Sequence, residues 1–175
     1  MLQIRCTAKV QKELGIKKSE LAVVKQSHTL LGDWYANLFI VDRRKTLIFV
    51  NEKTLLSFIL FGVKKRNIKR LPEIFLESLD QLLTIEGFDV GQINKVFSGY
   101  EEHEFTKTVS KRVIGNMNDL VYLYKSSILY HGGFKYIDIG ELILETNRTP
   151  QKNLGWSYSI DLVGELLQGN HRNLS

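Results

Sequence analysis

An α+β domain, built on a small antiparallel sheet that several helices cover, follows from three features of the chain. Residues 34–41 (WYANLFIV) and 46–51 (TLIFVN) are rich in the aromatic and β-branched side chains that suit a pleated surface. The four charged residues Asp42, Arg43, Arg44 and Lys45 separate them. Residues 72–86 and 110–125 instead place their apolar side chains at helical spacing.

The first strand is expected at Leu2 to Thr7, with Leu2, Ile4 and Cys6 on one face. A short helix, Ala8 to Leu14, follows and ends at Gly15, where left-handed geometry costs little. Ile16 to Leu30 reads as a loop with some helix. Trp34 to Val41 and Thr46 to Asn51 then form a hairpin with a loop of about four residues. Their nearly continuous apolar character implies burial on both faces, or helices on one face and a neighbour on the other. Leu55 to Phe61 returns as a third strand, although Leu55, Leu56, Phe58 and Ile59 would also suit a short helix. In this meander the chain leaving Phe61 emerges beside the Arg43 turn.

Beyond the sheet, Pro72 starts a helix to Glu86 with Phe75, Leu79, Leu82 and Leu83 on one stripe and Gly87 as its stop. Val90 to Tyr100 is a weaker helix. Glu101 to Thr108 contains an extended segment around Phe105. Ser110 to Lys125 is a second strong helix, with Val113, Met117, Leu120, Val121 and Tyr124 in phase. Gly132 and Gly133 stop the segment that follows. Tyr136 to Asn147 fits a strand through Tyr136, Ile137 and Ile139, or a helix through Ile139, Leu142 and Ile143. Ser159 to Leu167 is the last helix, stopped by Gly169. Residues 1–169 are thus expected to form one domain, with a frayed tail from 170 to 175.

Composition narrows the function classes. At 175 residues, with 43% apolar and 25% charged residues, the chain can bury a core of its own. It has no apolar run long enough for a membrane span, and Met1 to Thr7 lacks the long apolar core of a secretory signal, so a cytoplasmic protein without membrane attachment is expected. The single cysteine, Cys6, excludes an intramolecular disulfide and any multi-cysteine metal site, and reads as a small buried hydrophobe. Net charge is +5, but it is unevenly spread. Arg43, Arg44 and Lys45 together with Lys64, Lys65, Arg66, Lys69 and Arg70 hold eight of the 24 Lys and Arg. The remaining 16 face 19 acids, so the basicity is a local pole at one end of the sheet.

Four segments, LQIRCTAKVQKELG (2–15), LGDWYANLF (31–39), TKTVSKRVIGNMNDL (106–120) and LETNRTPQKNLGW (144–156), resemble an uncharacterised bacterial family, a domain of unknown function found in small stand-alone proteins. The resemblance implies one bacterial cytoplasmic domain and brings no activity, substrate or cofactor with it. It draws attention to the polar residues of those segments: Asp33, Trp34, Asn37, Lys107, Ser110, Arg112 and Asn118. Asp33 and Trp34 read either as a turn cap and a core residue or as the rim of a pocket.

Two anion sites are candidates. The basic pole would attract nucleic acid or another polyanion by charge and counterion release. At the start of the Ser110 helix, Lys107, Lys111 and Arg112 crowd an end whose dipole prefers acids, where Ser110 or Thr108 as cap and Lys107 and Arg112 as clamps would hold a phosphate or carboxylate. Asn116, Asn118 and Asp119 inside that helix are read as structural hydrogen-bonding groups, with ligand contact as the alternative. No catalytic constellation emerges: His28, His103, His131 and His171 have no metal spacing, and no nucleophile is paired with His103 or His131, the two that could act as acid or base. The expected function is a polyanion or nucleic-acid binding module without metal or cofactor. Alternatives are an enzyme acting on a phosphate-containing substrate, and a component of a stress, defence or plasmid-maintenance system that binds an unnamed protein partner. Oligomeric state is not readable.

Overall fold

Strands β2 (Trp34–Val41) and β3 (Arg44–Asn51) run antiparallel in full register, from Trp34 opposite Asn51 to Val41 opposite Arg44. They belong to a computed structural model that describes residues 1–62 and 70–169. Strand β4 (Ser57–Phe61) returns along β3, as a meander requires. Strand β1 (Leu2–Cys6) joins the other side of β2, and β5 (His103–Lys107) lies beyond it, giving the order β4-β3-β2-β1-β5. Here the sheet departs from the expected antiparallel pattern. Residues 7–33 cross back before β2, so β1 pairs parallel with both β2 and β5 and the sheet is mixed.

Among the described residues six helices complete the α+β fold: α1 (Ala8–Leu14), α2 (Leu71–Ile85), α3 (Val90–Phe97), α4 (Lys111–Tyr130), α5 (Ile139–Asn147) and α6 (Ser159–Leu167). Alternate strand residues go to opposite layers. Ile4, Trp34, Phe49 and Phe58 pack with Val10 of α1, Phe75 and Leu79 of α2 and Val96 of α3. Tyr35, Ile48, Val50 and Ile59 pack with Val113, Met117, Leu120 and Tyr124 of α4 and Leu142 of α5. Helix α6 serves both layers through Val163 and Leu162. Burial on both faces is therefore the reason that β2 and β3 are apolar almost throughout. Trp34, Phe49, Phe58 and Phe75 form an aromatic cluster with centroid separations of 5.1 to 5.7 Å.

Several boundaries differ from expectation for local reasons. The third strand starts at Ser57 because Asn51 Oδ1 accepts the N–H groups of Lys53 (3.1 Å) and Thr54 (3.0 Å), making a turn that continues through Leu55. Helix α4 runs to Tyr130 rather than Lys125, and Gly132 and Gly133 end it. Residues 139–147 are helical: Asp138 Oδ1 caps the Glu141 N–H at 3.0 Å, and α5 then buries Leu142. The tail from 170 to 175 lies outside the described residues. Among those described, no helix is long and apolar enough to cross a membrane.

Candidate functional site

The β2–β3 loop has two residues rather than the expected four. Asp42 (φ 46°) and Arg43 (φ 59°) both adopt left-handed backbone, the signature of a type I′ turn whose twist matches the strands it joins. Arg44 and Lys45 are consequently strand residues. Asp is tolerated in this conformation, but the second turn position is where glycine is strongly preferred; an ordinary side chain there costs ~1–2 kcal/mol. Arg43 occupies it, exposed and without an ion pair to any described residue.

The remaining cations of the pole are used in different ways. Lys45 Nζ donates to both carboxylate oxygens of Glu13, at 2.8 and 2.9 Å. The Arg44 guanidinium lies 5.8 Å from the Phe61 ring centroid and 5.6 Å from that of Phe134. Arg70 pairs with Glu73 at 3.1 Å on the surface. Lys64, Lys65, Arg66 and Lys69 lie outside the described residues. The chain does leave β4 where the meander requires, since the Gly62 N–H donates to the Lys45 carbonyl at 3.2 Å.

A third segment at this end was not expected from sequence. Asp42 Oδ2 accepts the Phe134 N–H at 3.0 Å, fastening the hairpin tip to the connection between α4 and α5. The approach needs Gly133, with φ 114°, because a Cβ there would stand 2.6 Å from Asp42 Oδ2. Phe134 packs against Phe61 with ring planes tilted by 30° and centroids 4.6 Å apart, and Lys135 Nζ lies 5.5 Å from the Tyr136 ring centroid. The alternation of aromatic and cation in FKY, directly after two glycines, was the available signal.

The Ser110 site is separate, at the β5 edge. Ser110 is the cap of α4: its Oγ accepts the Val113 N–H at 3.3 Å and its own N–H donates to Tyr35 Oη at 3.1 Å. Lys107, Lys111 and Arg112 are exposed, and the first turn of α4 holds no acid. Glu104 pairs with Lys25 at 3.7 Å instead. The fold thus keeps these cations away from the β3–β4 edge of the sheet. Of the three polar residues expected inside α4, Asn116 is buried and accepts from Asn153, whereas Asn118 and Asp119 face solvent and do not serve the structural role expected of them.

Asp33 belongs to neither of its expected settings. It is fully buried and accepts from Gln3 Nε2 (2.8 Å), Arg5 Nε (3.1 Å) and Arg5 Nη2 (2.5 Å), while Glu52 Oε1 accepts its N–H at 3.0 Å. Burial opposes the charge on Arg5, but its hydrogen bond to Asp33 and the charges of Glu52 and Asp33 outweigh this and raise its pKa. Trp34 is core, and its indole N–H donates to Tyr100 Oη at 3.0 Å. Asn37 Oδ1 accepts from Thr7 Oγ1 at 3.0 Å. Asp33 and Asn37 thus tie β2 to β1 and to Thr7 just beyond it, while Trp34 ties β2 to Tyr100 after α3. Gln3 and Arg5 were missed because their partner lies 30 and 28 residues away.

His28, His103 and His131 are exposed, and no group of three or more metal-ligating side chains is assembled among the described residues. Burial pushes the Cys6 thiol up to about 12, which leaves it an inert core residue. A comparison with curated proteins finds no match. The model of a domain of unknown function, DUF6933, matches residues 3–162, and the chain belongs to that family.

Proposed function

We propose that the hairpin end binds a polyanion, with nucleic acid as the natural partner. Arg43 carries this reading. An exposed guanidinium sits in a left-handed backbone position that glycine would fill at lower cost, and no described acid neutralises it. Local rules broken at the surface are the usual mark of a site under another demand. The neighbourhood supports it: Arg44 stands beside Arg43, and the chain enters the cation-rich stretch 63–69 from Gly62, which is bonded to Lys45. Charges grouped in this way bind phosphates by counterion release, giving strongly salt-dependent affinity with little sequence preference.

Fluorescence anisotropy with short RNA and DNA at two salt concentrations tests the reading. Binding should weaken steeply as salt rises and should fall when Arg43, Arg44, Lys64 and Lys65 are changed to Ala. Salt-insensitive binding, or binding that survives those changes, would refute it.

A further inference from the structure

Charge alone would bind any polyanion, but the hairpin end also displays rings. Phe61 is 42% exposed and Tyr136 is 65% exposed, each within a few ångströms of a cation. The segments alternate: Arg43 at the tip, then Arg44 over Phe61 and Phe134, then Lys135 over Tyr136. The platform is held in place, since the Phe134 N–H is bonded to Asp42 and the Tyr136 ring lies against Gly132. Three nearby acceptors are already engaged. The Asp42 carboxylate accepts from Phe134, and the Ile128 and Leu129 carbonyls at the end of α4 accept from Gly133 (2.8 Å) and Gly132 (3.0 Å).

Resting on the polyanion reading above, we propose that this surface takes single-stranded nucleic acid, with bases stacking on its rings while Arg43, Arg44 and Lys135 follow the phosphates. In a duplex the base faces are hidden within the stack and only the phosphates are offered, so the exposed rings would contribute nothing. A single strand offers both, and stacking on an aromatic side chain tolerates any base because every base has a π-face. An acidic peptide supplies charge without flat rings to stack, and so leaves Tyr136 unused.

The test is anisotropy with labelled dT and rU strands and with a duplex of equal phosphate number, on the intact protein and on Tyr136→Ala and Tyr136→Trp. The exposed position of Tyr136 lets both variants fold. The strands should bind more tightly than the duplex, Tyr136→Ala should weaken strand binding about fivefold or more and leave duplex binding unchanged, and Tyr136→Trp should retain it. The dT and rU arms report which sugar is preferred. Equal affinity for strand and duplex, an unchanged Tyr136→Ala, or displacement by polyglutamate as readily as by unlabelled strand would overturn the single-strand assignment while leaving polyanion binding in place. No binding of any nucleic acid at low salt would overturn the polyanion reading and this assignment together.

Discussion

Glycine at position 43 should strengthen the fold while weakening the polyanion site. The turn places Arg43 at φ 59°, where an L side chain costs ~1–2 kcal/mol. Glycine removes that cost but loosens the unfolded chain by about 0.5–1 kcal/mol. No described residue pairs with the guanidinium, so little native interaction is lost with it. The net gain is then ~0.5–1 kcal/mol, or a rise in Tm of about 1–4 °C for a chain of this length. Urea unfolding of wild type, Arg43→Gly and Arg43→Ala reads it directly. Arg43→Ala keeps the strain and should gain nothing. A lower midpoint for Arg43→Gly, or equal gains for Gly and Ala, would refute the claim that the turn holds arginine against its backbone preference.

Other consequences concern the frame around the site. Asp33→Ala removes the closest partner of buried Arg5, leaving only Glu52 at 3.8 Å, and should destabilise by about 3 kcal/mol in urea unfolding, whereas the double replacement Arg5→Met with Asp33→Leu should recover most of it; equal losses would mean the pair is not coupled. Asn147 covers edge strand β4, accepting the Ser57 N–H and donating to the Ser57 carbonyl, both at 2.8 Å, so Asn147→Leu should cost ~1–3 kcal/mol, and a neutral result would dismiss the amide as edge cover. The Cys6 thiol, held at about 12 by burial, should resist a thiol-specific reagent at pH 8 in the native protein and react promptly in denaturant; rapid native labelling would contradict its burial.

Elements whose signals are local were legible in the sequence. Helix α1 ends at Gly15, and α6 spans Ser159–Leu167 as its periodicity requires. The antiparallel meander was readable from the alternating runs and their charged break. The length of that break was not, because an Asp-Arg pair lacks the glycine that announces a two-residue turn. Long-range partners were equally hidden. The parallel entry of β1 depends on how residues 7–33 cross, and only that register brings Arg5 and Gln3 to Asp33. The basic pole was visible as composition, yet its members are unequal: Lys45 is tied to Glu13 and Arg70 to Glu73, whereas Arg44 lies over two rings and Arg43 stands alone, neither with an ion pair to a described residue. Phe134 and Tyr136 entered the site through the Asp42 hydrogen bond, an interaction spanning 92 residues.

The most direct measurement is the dependence of nucleic-acid affinity on salt in wild type and in Arg43→Gly. Affinity should fall steeply with salt, with a log–log slope shallower by ~0.7 in the variant if Arg43 meets one phosphate of a single strand. An affinity independent of salt, or a slope that the variant does not change, would contradict the role given to the hairpin tip.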